Sequence, residues 1–249
     1  MKKMNKTETK NTFSNHVLEL RKRIIISVIT ILISGIVTFI FHKDILEFLI
    51  NPPNGLTYFQ TTKPIYTELT EYISVAIKVS IYTGVLIASP IVFLQIILFI
   101  SPGLKRKEKL FLYSSIPIIY VTFTLGLIFG LYILFPPAIK FLITFGSDIA
   151  TPYIRIGNYI GILISLLSWM GLIFQTPLIM FILGKLKIIN SNKIRRFRRY
   201  FWVVAFVLGA IITPTFDPIN QTLVAIPIIL LYEIGFLLVW IINRGNKEI

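Results

Sequence analysis

The chain has 249 residues, 55% of them hydrophobic and only 14% charged, with a mean hydropathy of +0.79; soluble domains run at about 25% charged, so an ordinary soluble fold is excluded. Lys and Arg number 25 against 11 Asp and Glu, a net charge of +14, and in so apolar a chain that excess encodes membrane orientation, not nucleic-acid binding. With no cysteine and two histidines, structural zinc, disulfides and thiol chemistry are excluded, and no metal or cofactor is expected.

A basic arm, Met1 to Arg23, leads into the first apolar span, 24–41. No small-residue cleavage site follows it, and the arm is short and Lys-rich, so neither a removable signal peptide nor a transit peptide is expected. A polar loop, His42 to Tyr72, is broken by Pro52-Pro53-Asn54-Gly55, a strong turn signal. The second span, 73–100, is stopped by Ser101-Pro102-Gly103, and the third, 110–135, by Pro136-Pro137. The fourth covers 158–184, and after a basic segment 201–213 and 221–242 form two more. Uninterrupted apolar stretches of this length read as transmembrane helices. The expectation is therefore an all-α integral membrane protein: one membrane domain over 1–249, six helices, both termini on the cytoplasmic or stromal side. Pro90, Pro117, Pro177 and Pro227 place a proline in four spans, and bent helices favour a concave assembly.

Charge supports that count. The N-terminal arm holds seven Lys/Arg, 105–109 four, 185–199 seven and the tail two, so 20 of 25 fall on one face if six spans alternate. The other five are Lys43, Lys63, Lys78, Lys140 and Arg155. This asymmetry is the positive-inside pattern. The last two helices are expected to be short: 44 residues lie between Arg199 and Arg244, and Thr213–Gln221 must turn. About 17 residues remain per helix, or about 26 Å, less than the ~30 Å hydrocarbon core. Such a hairpin would thin the bilayer locally or stop short of the far surface.

Catalysis finds no support. Asp217 is the only Asp near a span, His16 and His42 flank the first span at opposite ends, and no phosphate-binding G-x-x-x-x-G-K-[ST] loop exists. What remains is sparse polarity in unusual places. Within the basic belt the carboxylates are Glu8 and Glu248, in the tails, and Glu19 and Glu108, beside the membrane. A carboxylate among bases stays ionised and offers two acceptors to a guanidinium. Local pairing stands beside that reading, Glu19 with Arg23 at i,i+4 and Glu108 with neighbouring Lys. At membrane depth, Gln175 precedes Pro177 by two residues; its amide bonds either another helix or the carbonyl that the proline frees. Glu233 either reaches the basic belt or stays buried, and Lys78 snorkels outward.

His16–Arg23 (HVLELRKR), the run from Ala88 to Glu108 (ASPIVFLQIILFISPGLKRKE), Phe174–Pro177 (FQTP), Thr213–Gln221 (TPTFDPINQ) and Ala225–Glu233 (AIPIILLYE) follow one another in a specific order. In these motifs the chain resembles the TatC family, the multispanning signal-peptide receptor subunit of the twin-arginine translocase, over nearly its whole length. The resemblance implies that Glu19 and Glu108 receive the twin arginines of a signal peptide, with His16, Arg21, Arg23, Phe99, Pro102, Gly103 and Leu104 around them. It implies a partner-helix contact at Gln175 and Pro177, and structural or functional polar roles for Glu71, Thr213, Pro214, Asp217, Gln221 and Glu233. The implied partners are folded precursors bearing twin-arginine signals, TatA/TatB-type single-span subunits, further copies of the chain, and lipid; transport would run on the proton-motive force, without cofactor or nucleic acid. Two departures stand out: Gln175 where many bacterial relatives carry Glu, and Leu69 where an outer-loop P-x-E pattern has proline before Glu71. The Gln, the turn and the Ile/Lys/Phe/Asn-rich usage look cyanobacterial or plastid-like, which favours a thylakoid membrane over a bacterial inner membrane. The competing classes are a small-anion secondary transporter, which would show inverted repeats and midplane polar groups, and a membrane insertase subunit, which a short final hairpin also fits.

Overall fold

A computed structural model of the chain describes residues 6–51, 64–145, 147, 149, 151–213 and 217–245, with the side chains of 6–15, 192, 193 and 245 left aside. The turn expected at Pro52–Gly55, Lys63, Pro214 and Glu248 lie outside the described residues. Regular structure among the described residues is helical, apart from one isolated parallel bridge between Ile65 and Arg155.

Among the described residues ten α-helices run in chain order: α1 (Lys6–Ile40), α2 (His42–Ile50), α3 (Glu71–Ile100), α4 (Arg106–Ser114), α5 (Ile116–Phe129), α6 (Phe135–Thr144), α7 (Ile156–Ile173), α8 (Thr176–Lys185), α9 (Ser191–Ile212) and α10 (Pro218–Gly245). Of these same residues, five stretches are long and apolar enough to cross a bilayer: His16–Ile40, Glu71–Gly103, Arg106–Thr144, Ile156–Lys185 and Pro218–Arg244. In α1 the apolar residues are the exposed ones, Ile24, Val28, Leu32, Ile36 and Ile40 among them. A helix that is apolar all round and uncovered takes hydrocarbon as its solvent.

Several boundaries differ from the sequence expectation. Helix α1 starts at Lys6, so the arm that carries Glu8 is helical and continuous with the first span. Pro136-Pro137 do not stop the third span. They stand in the first turn of α6, after a π-turn at Gly130–Leu134 that ends with Phe135 N–H donating to Gly130 O. The widened π-turn just before them accommodates the donor that the prolines lack. Pro117 and Pro177 likewise start α5 and α8, after breaks at Ser115 and at Phe174-Gln175. Only Pro90 and Pro227 lie inside continuous helices.

The final pair is unequal, not uniformly short. Helix α10 has 28 residues and α9 has 22, but α9 opens with Arg195, Arg196, Arg198 and Arg199. Its apolar part, 201–212, is about 18 Å long at 1.5 Å per residue. The mismatch therefore falls on α9 alone.

Two compact units divide the chain, residues 1–42 with 80–120 and residues 43–79 with 121–249. In the first, α1 and α3 meet at backbone distance: a Cβ on Gly84 would lie 2.6 Å from Gly35 N and 2.7 Å from Gly35 Cα. The buried Thr38 hydroxyl sits 2.7 Å from Ser80 O across the same crossing. In lipid no hydrophobic force joins helices, so close backbone approach and interhelical hydrogen bonds supply the attraction. In the second unit the core is Leu134, Phe135, Tyr159, Ile160, Leu163, Leu166 and Met170, each at most 2% exposed. Phe135 and Tyr159 pack edge to face at 5.2 Å, and Tyr159 Oη donates to Leu49 O at 3.1 Å, satisfying the one polar atom buried there. Helices α8, α9 and α10 close a second cluster around Met180, Ile194, Tyr232 and Val239.

Candidate functional site

The residues singled out at the basic ends of the first two spans all lie in the first unit. Glu19 and Arg23 are one helical turn apart on α1, and Arg23 Nη2 donates to Glu19 Oε1 at 3.2 Å. The same guanidinium crosses to α3, where Nη1 donates to Gln95 Oε1 at 3.2 Å; its Nε is buried without a partner. One turn earlier, His16 stacks on Phe99 with ring centroids 4.6 Å apart and planes 22° from parallel. Two cross-helix contacts thus fix the register of α1 against α3 around Glu19. Arg21 is exposed.

After α3 the chain makes a single 3-10 turn, Ser101–Gly103, closed by Leu104 N–H donating to Ser101 O at 3.1 Å. Pro102 opens that turn, and the Ser101 hydroxyl is met by Tyr113 Oη at 3.3 Å from α4. Pro102 and Gly103 are exposed and Leu104 is half-buried. A Cβ on Gly103 would meet nothing within 4 Å, so packing in this state does not require glycine. Glu108 is the third residue of α4 and its Oε2 accepts the Lys105 N–H at 2.8 Å, half of a capping box. No ion pair involves it among the described residues. Of the two local pairings, Glu19 with Arg23 is present, whereas Glu108 bonds backbone instead of a Lys side chain.

The other polar positions lie in the second unit, each with a partner inside the chain. Gln175 is buried between α7 and α8, and its Oε1 accepts from Thr122 Oγ1 of α5 at 3.2 Å. The amide therefore bonds another helix. Glu71, the first residue of α3, is a hub: Oε2 accepts from Thr67 N at 2.9 Å and Arg155 Nη2 at 3.0 Å, and Oε1 from Gly157 N at 3.1 Å. Arg155 also reaches Glu68 at 3.0 Å. Backbone bonds reinforce the clasp, Ile65 N to Ile154 O at 3.0 Å and Ile156 N to Ile65 O at 2.8 Å. Leu69, in the place of the pattern's proline, is 95% exposed.

In the last hairpin Thr213 Oγ1 donates to Gly209 O at 2.8 Å and Gln221 Nε2 to Phe206 O at 2.8 Å, so both side chains close the end of α9. Asp217 caps α10, accepting Asn220 N–H at 2.8 Å and Asn220 Nδ2 at 2.9 Å. Glu233 does reach the basic belt, taking Arg198 Nε at 2.6 Å.

Sequence reasoning did not single out Gln95, Thr67, Thr122, Gly157 or Arg198 as partners. Gln95 carried a signal, an uncharged amide within an apolar span. Thr67 lies only four residues from Glu71, whereas Thr122, Gly157 and Arg198 pair across 35 to 86 positions of sequence, a separation that no local pattern encodes.

A family model described as TatC, Sec-independent protein translocase protein, matches residues 15–227. The TatC protein of Carboxydothermus hydrogenoformans is 38% identical over 224 residues, 90% of either chain. A tatC-like protein, ycf43, of Gracilaria tenuistipitata var. liui is 36% identical over 236 residues, 95% of this chain and 97% of its own. A solved structure described as the twin arginine translocase receptor TatC is 37% identical with a TM-score of 0.80, covering 92% of this chain and all of that one.

Proposed function

Because the chain belongs to the TatC family of Sec-independent protein translocase proteins, a multi-pass membrane protein, we propose that it is the receptor subunit of a twin-arginine translocase. It binds the twin-arginine signal of folded precursors and recruits single-span subunits for transport driven by the proton-motive force. The observation that carries this reading is Glu108: a carboxylate in the basic 105–109 stretch that accepts one backbone hydrogen bond and has no ion pair among the described residues. A field of lysines and arginines repels a cationic peptide everywhere except where a carboxylate captures it. Glu19 offers a second acceptor, on a helix held by the His16–Phe99 stack and the Arg23–Gln95 bond. Arg21, Pro102, Gly103 and Leu104 border these groups.

Arginine is preferred over lysine because its planar fork bonds a carboxylate through two N–H groups, where an ammonium acts as a point charge. Exposed pairs contribute only about 0.2–1 kcal/mol each, so two of them give a selectivity of roughly tenfold.

Six spans with both ends on the cytoplasmic or stromal face fit the positive-inside distribution, with α9 crossing a thinned bilayer. Recruitment of a single-span subunit at Gln175 and Pro177 requires exchange of the Thr122–Gln175 bond. Relatives include bacterial proteins and ycf43-type proteins, and the plastid-like features of Gln175 and the final turn favour a thylakoid membrane. The test is photocrosslinking from positions 19 and 108 in native membranes. A twin-arginine precursor is labelled roughly tenfold more than its twin-lysine counterpart; equal labelling of both overturns the site.

A further inference from the structure

The second unit holds a charged cleft that the receptor reading does not use. The start of α9 and the end of α10 enclose about 550 Å³, lined by Ser191, Arg195, Arg198, Trp240, Asn243 and Arg244. A neighbouring hollow of about 590 Å³ shares Arg195 and Arg198 and adds Arg196, Arg199 and Trp202. Five guanidinium groups thus line the two hollows, and of these Arg198 is bonded to a carboxylate, Glu233. Arg244 lies over the Trp240 ring at 5.2 Å and Arg199 over Tyr200 at 4.8 Å. Such contacts orient a guanidinium without neutralising it. Arg195 has no carboxylate partner among the described residues. The cleft is braced across its mouth by Asn243 Nδ2 donating to Asn190 Oδ1 at 2.8 Å.

So dense a positive cluster is stable when an anion sits in it, and the walls say which kind. A soluble phosphate or an acidic peptide has no use for exposed apolar surface, yet Trp202 and Trp240 are 48% and 43% exposed beside the arginines. From the cleft an exposed stripe, Ile241, Leu237, Ile234 and Leu230, runs along one face of α10 at alternating three- and four-residue steps. Guanidinium groups at a headgroup level marked by tryptophan, above a continuous apolar track, match the two halves of a phospholipid.

We propose that this cleft binds the phosphate headgroup of an anionic membrane lipid, with Arg195 and Arg244 on the phosphate, Ser191 and Asn243 as polar contacts, and the acyl chains along the α10 stripe. The inference stands independently of the signal-peptide site, which lies in the other unit.

The test uses the full chain carrying W169F and W202F, so that Trp240 is the sole reporter, in phosphatidylcholine vesicles containing a minor fraction of phosphatidylglycerol brominated on its acyl chains. Brominated phosphatidylglycerol quenches Trp240 more than the same fraction of brominated phosphatidylcholine. R195Q or R244Q each lowers that relative affinity about fivefold, since one basic residue contributes a factor of this size at an anionic surface. R106Q/K107Q removes twice the charge of either single variant from the other unit and leaves the excess unchanged. The double lysine variant, R195K/R244K, keeps the charge and retains most of the excess, which separates lost binding from lost folding. Equal quenching by both lipids overturns the proposal, as does equal loss with R106Q/K107Q. Abolition of the excess by millimolar glycerol phosphate makes this a soluble-phosphate site, and abolition by an acidic peptide a peptide site; either also overturns it.

Discussion

Two carboxylates stand in the first turn of their helices and are used in opposite ways. Glu71, opening α3, receives Thr67 N–H, Gly157 N–H and the Arg155 guanidinium, and it is 8% exposed. Glu108, third in α4, receives one backbone N–H. The first is a structural clasp, the second an acceptor with capacity left over. The clasp also explains Gly157, whose Cβ would lie 2.9 Å from Glu71 Oε1. That oxygen ends a flexible side chain, but its bonds hold it in place. Gly157→Ala should therefore cost about 1–3 kcal/mol, the range for forced overpacking, read as a lower midpoint of thermal unfolding in detergent. An unchanged midpoint would show that Glu71 can retreat without loss.

Among the helices, the α1–α3 crossing joins the helix that carries Glu19 to the one that leads into the turn before Glu108. Gly84 meets the Gly35 backbone, and backbone cannot swing aside as a side-chain tip does. Gly84→Ala is expected to separate the helices, cost about 1–3 kcal/mol, and loosen the His16–Phe99 stack. Gly103→Ala, with open space around it, is expected to change stability by less than about 0.5 kcal/mol. The pair is checked by comparing unfolding midpoints; equal losses would contradict the crossing. Here the limits of sequence reading are plain. Apolar runs revealed where helices cross, because hydrocarbon demands them. They did not reveal that 6–23 extends α1, since a polar helical turn carries no apolar periodicity. Nor did a proline in the sequence say whether it bends a helix, as Pro90 and Pro227 are placed to do, or starts one, as Pro117, Pro136 and Pro177 do.

Across the whole molecule, charge and apolar length tell one story except at α9. Among the described residues five stretches satisfy the length and composition of a span, while α9 carries four arginines in its first nine residues. The proposed six crossings would put the turn before α10 on the face opposite both Arg196 and Arg244. The absence of cysteine makes single-cysteine labelling clean. Lys107→Cys and Arg196→Cys should react with a membrane-impermeant maleimide from one face, and Leu69→Cys, Tyr153→Cys and Ile219→Cys from the other. Labelling of position 219 together with 196 would reduce the count to a hairpin that re-enters without crossing. The individual carboxylates were legible from residue type and place, Glu19 and Glu108 among bases. The Glu19–Arg23 pair was legible too, from its i,i+4 spacing; that the same guanidinium also holds Gln95 of α3 is visible only in three dimensions.

The central claim is that this basic face selects an arginine pair through two carboxylates. Equilibrium binding of synthetic twin-arginine and twin-lysine signal peptides to the full chain in lipid nanodiscs tests it most directly. A roughly tenfold preference for the arginine peptide is expected, lost in E19Q/E108Q while residual binding to the peptide's apolar segment remains. A preference that survives removal of both carboxylates would contradict it.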